Sequence, residues 1–467
     1  TGTLGTAYRN YLVNFIADGT RGSADLCAYF YLRAFSLLNG GGLFGLIACN
    51  TIAEGDTRQV GLERMVKQGG SIIAANPNMP WPGKAAVVIS LVFFYKNRII
   101  GHVHAPASAA YNGHWHGILC INDQPVAVIS PFLSQQEEWS PKVLKANANQ
   151  SFQGSIVLGL GFTMSEEEAQ ADIAKNPKNA EVLFPYLNGE DLNSSPEQKA
   201  SRWVINFFDW PLDRDAEGSW EHANDKQKKA YLSSGHVPAD YPNRVAADFP
   251  ELLAIVEEKV KPERERKNDA LAAKKWWLFL RPRPELYHAI GRGDAFAQHP
   301  KGWEKDAFEG NEVIVVTRVS KTLAFARCKR DIVFADATVI IATADIGKWA
   351  ILQSAFHTVF AWQQASKLKS DLRYSPTDAY ETFPFPIIQN DARPAFIAMA
   401  EQLHAMRSNM METEQIGLTD FYRTFHNQNN HDDYLIELRC LQCKIDLAIR
   451  DAYGWQDIDL EHGFHAV

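Results

Sequence analysis

"SADLCAYFYLRAFSLLNGGGLFGLIACN", residues 23–50, sets a helix and a strand side by side, and how the two are read decides the fold class. Ser23 can cap a helix, Asp25 falls in its first turn where the helix dipole favours an anion, and Leu26, Phe30, Ala34 and Leu37 recur at helical spacing. Asn39-Gly40-Gly41 ends it. The run "GLFGLIAC", 42–49, is short and unbroken, the pattern of a parallel strand buried on both faces.

Working outward, a polar helical segment from Thr57 to Gln68 leads to a second strand, "SIIAA" from Ser71. A third, "AAVVISLVFFYK", spans Ala85 to Lys96, and "NPNMPWPGK" between them reads as a Pro-bounded loop. Helix, strand, helix, strand, loop, strand predicts an α/β fold: the second half of a doubly wound, Rossmann-like sheet closing on an antiparallel hairpin. The first half, with the Gly-rich cofactor loop, is expected upstream of Thr1, because the sequence opens without an initiator Met on a Gly/Thr-rich stretch.

Beyond residue 100 the pattern changes to short strands punctuated by Pro and Asn, interrupted by a long charged helix beginning near Asp248. "VIVVTRVSKTLAFARC", 313–328, alternates with period two and predicts a hairpin hinged near Ser320. From Asp391 to Tyr453 the chain is helical again. Three domains are expected: 1–100, an α/β piece; 101–390, mixed α+β; and 391–467, helical.

Composition excludes several classes. The 467 residues are 46% hydrophobic and 11% aromatic, enough for ordinary globular cores. No apolar run reaches the roughly 20 residues of a membrane span and no signal peptide is legible, so a cytoplasmic protein without membrane contact is expected. Six scattered cysteines do not suggest a disulfide framework, and Cys27 reads as a buried thiol. A net charge of −8 gives no general attraction to nucleic acid, so DNA contact must rest on local basic patches.

Several motifs are lookalikes. "VLGLGF", 157–162, followed by a helix near Ser165, lacks the third Gly and the acidic partner of a dinucleotide loop. His102, His104, His114 and His116, with Cys120 nearby, form two His-x-His pairs without fixed Cys partners, and no metal is expected. Cys440 and Cys443 share a helix with no second pair and read as buried packing. Glu257-x-Lys259 is a chance echo of a nuclease motif on a charged helix.

The opening stretch resembles the segment that follows the Asn-Pro-Pro-aromatic motif of adenine-N6 DNA methyltransferases, and "WPGKAAVVISLVFFYK" resembles their later base-contacting motif. "FQGSIVLGLGFTMSEEEA", "FPYLNGEDLN", "WVINFFDWP", "KKWWLFLRPRPELYHAI", "RYSPTDAYETFPFP" and "AIRDAYGW" resemble, in order, the target-recognition and C-terminal regions of MmeI-like single-chain restriction-modification enzymes. The resemblance implies methyl transfer from S-adenosylmethionine to an adenine flipped out of double-stranded DNA, with the N-terminal portion of the same polypeptide as a necessary partner.

It also implies roles. Trp81-Pro82 matches the position whose ring stacks on the flipped base, with Lys84 near a backbone phosphate. Phe30 matches the aromatic that packs against the cofactor's adenine, although helical spacing also makes it core-facing, and Asp25 is its cofactor-side neighbour. Asn76-Pro77-Asn78-Met79 lacks the second Pro and the aromatic of the catalytic motif.

From Lys259 to Arg283 nine Lys and Arg stand against three acidic residues, interleaved with Trp276, Trp277 and Phe279. Lys274, Lys275, Arg281 and Arg283 are the candidates for phosphate, and Arg318, Lys321, Lys369 and Arg373 for groove-facing elements. The expectation is therefore a piece of a site-specific adenine-N6 methyltransferase that alone binds DNA without turnover. The alternatives are a stand-alone DNA-binding specificity module and a dinucleotide enzyme built on "VLGLGF".

Overall fold

The computed structural model describes residues 5–20, 24–85, 87–98, 118–135, 141–266, 270–305, 307–368 and 371–464. The chain divides into two compact units, 1–142 with 365–373, and 143–364 with 374–467. It is mixed α/β with several sheets.

The first unit opens with α1, Thr6–Tyr11, which runs on as Leu12–Ile16, and continues with α2, Leu26–Leu37, and β1, Leu43–Cys49. Gly55–Arg58, Gln59–Glu63 and Arg64–Lys67 then follow one another as a single helical stretch, α3. The strands β2, Ser71–Pro80, β3, Val88–Tyr95, β4, Leu119–Ile121, and β5, Gln124–Val126, complete a sheet of order β1-β3-β2-β4-β5. β3 is antiparallel to both β1 and β2, so those two run parallel to each other.

Two expectations need correction here. β1 is not buried on both faces: it ends the described sheet, pairs antiparallel with β3, and alternates outward Leu43 and Ile47 with inward Phe44 and Leu46. The returning β3 takes the position next to β1 that a parallel neighbour would have filled. In α2 the inward face is Ala28, Tyr29, Tyr31, Leu32 and Phe35, while Phe30 is 70% exposed and Leu37 also faces out. This helix is apolar on both sides, so spacing alone could not select the buried stripe.

Asn76-Pro77 is not in a loop either. It lies within β2, where the register slips between Asn76 and Met79 and Asn78 takes φ +58°. Among the described residues β4 pairs with β2 at Ala74 and Ala75, so Pro77, lacking an N–H, falls beyond that described pairing on one side and at a bulge on the other.

The second unit holds two four-stranded sheets. The strands are β6, Ser151–Gln153, β7, Thr163–Met164, β8, Leu183–Leu187, β9, Arg202–Ile205, β10, Glu312–Thr317, β11, Phe325–Lys329, β12, Val333–Phe334, and β13, Thr338–Ile341. Their orders are β11-β10-β13-β6 and β12-β8-β9-β7. The expected hairpin is present, with Val313 opposite Cys328 and Val316 opposite Phe325. Its tip holds the short strand Val319–Ser320.

The helices around these sheets explain much of the charged middle of the chain. α4, Glu166–Lys175, begins where a helix near Ser165 is expected, and the structure closes its start with a Ser165–Glu168 capping box. "VLGLGF" before it is a packing element: a Cβ on Gly161 would come within 2.5 Å of the Lys259 Cβ on α5, Pro250–Lys259. α6, Lys261–Arg266, buries Arg264, whose guanidinium donates to the carbonyls of Leu278 at 2.6 Å and Val157 at 2.8 Å.

Farther along are α7, Ala270–Lys274, α8, Pro284–Ala289, α9, Ile346–Leu352, and α10, Ala355–Gln364. The helical end is α11, Arg393–Thr413, α12, Leu418–Phe425, and α13, Asp433–Ala452. α13 buries Leu435, Leu438, Leu441, Ile445 and Ile449 at three- and four-residue spacing. Cys440 and Cys443 lie off that stripe; Cys440 is exposed and Cys443 half-buried, contrary to the buried packing expected of them.

Candidate nucleic-acid interface

Trp81 and Lys84 sit at the tip of the β2–β3 hairpin. The N–H of Trp81 donates to the Val87 carbonyl at 2.9 Å, closing the tip, and Trp81, Pro82, Gly83 and Lys84 are all exposed. The indole lies over Gly83: a Cβ there would stand 2.4 Å from Nε1. An exposed ring on a turn closed by backbone hydrogen bonding can offer a face to a flat partner.

Asp25 occupies the N-cap position of α2 with extended backbone, one step earlier than the first turn expected of it, and caps nothing with its side chain. Its carboxylate accepts from Thr51 Oγ1 at 2.7 Å and its N–H donates to Thr57 Oγ1 at 3.1 Å, tying the start of α2 to the segment after β1. Cys27 beside it is pushed up to about 12, chiefly by burial, and is therefore an inert thiol. Phe30, exposed, is free to meet a ring. Asp25 Oδ2 thus already accepts one hydrogen bond, from Thr51.

The basic stretch separates into two populations. Lys274 and Arg281 are exposed and Lys275 is half-buried. Arg283 is largely committed to the fold: with φ +58°, it sends Nε to Gly154 O at 3.4 Å and Nη2 to Gln153 Oε1 at 3.0 Å, and pairs with Glu285 at 3.6 Å. Trp276, Trp277 and Phe279 are buried and belong to the core; Trp277 Nε1 donates to the Trp210 carbonyl at 3.0 Å. None of these three rings is available to stack on a base.

Of the groove-facing candidates, Lys321 is exposed at the β10–β11 turn. Arg318 is half-buried, its N–H bonded to Ala337 O and its carbonyl to Tyr374 N, each at 2.8 Å. Arg373 is exposed at the end of Asp371–Arg373, and Lys369 lies outside the described residues. The two His-x-His pairs also lie outside them, and no group of His, Cys, Asp and Glu that could hold a metal occurs among the described residues. No described helix is long and apolar enough to cross a membrane.

Sequence reasoning missed the buried polar groups of the second unit. Arg407 is enclosed with Nη2 donating to Phe325 O at 2.9 Å and its guanidinium over Trp349. His357 is held down to about 3 by burial, with Nε2 3.0 Å from Tyr374 Oη. Burial also lowers Lys348, whose Nζ donates to Gln150 Oε1 at 2.7 Å. Their partners are distant in sequence, so no local spacing announces them.

With this geometry in place, the comparisons are informative. Residues 291–387 match the family model of the MmeI target recognition domain. Among solved structures, the type IIL restriction-modification enzyme MmeI, determined in complex with DNA, overlays with a TM-score of 0.64 and 16% identity, over 97% of this chain and 52% of that one. The type IIG restriction endonuclease BpuSI covers the same shares at 9% identity and a TM-score of 0.26, too low to support a fold argument. No curated protein matches by sequence. The chain spans about half the length of the MmeI chain it overlays. It has the fold of the corresponding part of MmeI, and within it residues 291–387 match that enzyme's target recognition domain.

Proposed function

We propose that the chain is the specificity-bearing part of a restriction-modification enzyme that binds double-stranded DNA in a sequence-specific manner and, as a whole protein, transfers a methyl group from S-adenosylmethionine to adenine N6. The match of residues 291–387 to a target recognition domain carries the DNA-binding part of this reading. The first unit supports the methyltransferase part. Its order β1-β3-β2, with β3 antiparallel between two parallel strands, suits the closing half of a doubly wound sheet, and β1 leaves its outer edge unpaired in the described sheet.

In this reading Trp81 stacks on the flipped adenine and Lys84 contacts phosphate nearby, at a hairpin tip where both are exposed. Lys274, Lys275 and Arg281 neutralise backbone phosphates, with Lys321, Arg373 and, more weakly, the committed Arg283 and Arg318 beside them. When bound, S-adenosylmethionine supplies the methyl group, and Phe30 gives a ring for its adenine. In this reading the chain alone binds DNA without turnover, while Asp25 Oδ2 already accepts one hydrogen bond from Thr51.

The test has two readouts on the 467-residue chain. Binding to duplex DNA of mixed sequence is expected to be measurable and to weaken steeply with salt, while incorporation of labelled methyl groups stays at background. Methylation by the chain alone would sink the division of labour, and an absence of DNA binding at low salt would sink the DNA reading.

A further inference from the structure

The β10–β11 hairpin is gripped from outside by side chains that the sequence places far from it. Its own ladder ends at the pair Val316 and Phe325, so residues 317–324, which carry Arg318 and Lys321, lie beyond that ladder. The turn at Lys321 is local, Ser320 Oγ accepting the N–H of Thr322 at 3.1 Å. On the β10 side the backbone of Arg318 is fixed by Ala337 O and Tyr374 N, each at 2.8 Å. What holds the β11 side comes from the helices.

β11 is an outer strand of its sheet, so the N–H and C=O groups along its free edge need partners. Gln353, just past α9, supplies them as a parallel strand would: its Oε1 accepts from Phe325 N at 2.9 Å and its Nε2 donates to Leu323 O at 3.2 Å, on either side of Ala324. The Phe325 carbonyl takes two donors, Trp349 Nε1 of α9 and Arg407 Nη2 of α11, each at 2.9 Å. Arg407 Nη1 reaches Tyr422 Oη of α12 at 3.2 Å, which ties the grip to the helical end. Lys321 thus stands between two anchored points, Arg318 and Leu323.

Arg407 shows that more than stability is at stake. It is 2% exposed, its Nε has no hydrogen-bond partner, and no carboxylate pairs with it among the described residues. A core guanidinium without a counter-charge is a poor choice for stability alone, since an apolar side chain of similar volume would avoid the cost of desolvation. What the arginine secures, and an apolar residue could not, is the position of the Phe325 carbonyl. Reading a base needs a side chain held to a fraction of an ångström, whereas attraction to phosphate tolerates slack.

We propose that Gln353 and Arg407 are positioning residues for sequence choice: by anchoring β11 they set where Lys321 stands in the groove, without touching DNA themselves. The inference rests on the DNA reading above. It goes beyond it in one respect, because Arg407 lies outside the 291–387 match and brings the helical end into specificity.

The test selects the duplexes that the 467-residue chain binds from a pool with a randomised core, then measures affinity for the best duplex and for its single-base-pair variants. Lys321→Ala is expected to relax discrimination at one base pair. Gln353→Met should relax it at the same base pair about five- to tenfold, within the worth of one base contact, while affinity for unrelated duplex and the salt slope stay unchanged. Gln353→Glu, which keeps the acceptor for Phe325 N–H and gives Arg407 a counter-charge, should restore part of the discrimination. Arg407→Met should act as Gln353→Met does, and Trp349→Phe, which removes one donor to Phe325 O but keeps a ring, serves if melting curves show either variant unfolded.

Loss spread evenly over all sequences, or unchanged discrimination in folded variants, would mean a purely structural role and overturn the proposal. So would a Lys321→Ala variant that discriminates as the parent does. A parent chain that binds no duplex, or binds all alike, would instead overturn the DNA reading itself and this inference with it.

Discussion

At the scale of single residues, exposure separates the groups that can meet DNA from those that hold the fold. Trp81 is 42% exposed at a closed hairpin tip. Under the proposed function, Trp81→Ala in the whole protein should slow methylation or weaken binding on matched duplex, with a smaller penalty when the target adenine is mismatched and already cheap to flip; equal loss on both substrates, measured by single-turnover methylation, would count against stacking. Burial acts the other way at His357, which has no hydrogen-bond partner at Nδ1. Its pKa falls from the ordinary 6.5 to about 3 in the folded protein, so between these values the unfolded chain binds the extra proton. Stability is therefore independent of this group above about pH 7 and decreases as pH falls through 6.5 toward 3, by at most about 1.4 kcal/mol per pH unit. His404, lowered to about 4 chiefly by burial, adds in the same sense. Urea denaturation at pH 7 and pH 5 should show His357→Gln losing less stability on acidification than the parent.

At the scale of elements, the same contrast between local and distant causes recurs. The β10–β11 hairpin and the start of α4 near Ser165 were legible because each depends on residues a few positions apart. The start of α10 was not. Its first N–H, on Ala355, donates to Asp446 Oδ1 of α13 at 3.1 Å, a cap supplied from 91 positions away. Asp446 is buried, so Asp446→Ala removes an acceptor from an enclosed N–H and should cost about 1–3 kcal/mol, seen as a lower melting temperature, while Asp446→Asn, which keeps an acceptor, should cost less. Equal destabilisation by both would point to the charge and its His462 neighbour at 3.5 Å instead of the cap. Gly154 is a comparable case of close approach: a Cβ there would stand 2.1 Å from Ala335 O, so Gly154→Ala should destabilise by several kcal/mol, measurable by the same denaturation.

At the scale of the whole molecule, the net charge of −8 opposes a polyanion at long range, and attraction must come from short-range cations. DNA affinity should accordingly fall linearly on a log–log plot against salt, and Arg281→Ala should reduce affinity on every sequence while making the slope shallower by about one unit. A groove reader such as Lys321 should instead relax discrimination at one base pair when changed to Ala. An unchanged slope, followed by fluorescence anisotropy over a salt series, would remove Arg281 from the phosphate contacts.

By itself the sequence determined the class of the fold, the helix-strand order of the first hundred residues, the hairpin at 313–328, the helical end, and the resemblance that residues 291–387 bear out at the level of a target recognition domain. Each of these follows from neighbouring residues or from short motifs in order. Only the tertiary structure decided which side of α2 is buried, that β1 lies beside an antiparallel strand, that Trp276 and Trp277 are core instead of stacking platforms, and that Arg264 and Arg283 serve backbone carbonyls before they serve DNA. The physical reason is common to all four. An amphipathic residue or a helix apolar on two faces is satisfied equally well by solvent, ligand or core, and the choice among them is made by partners that lie far away along the chain.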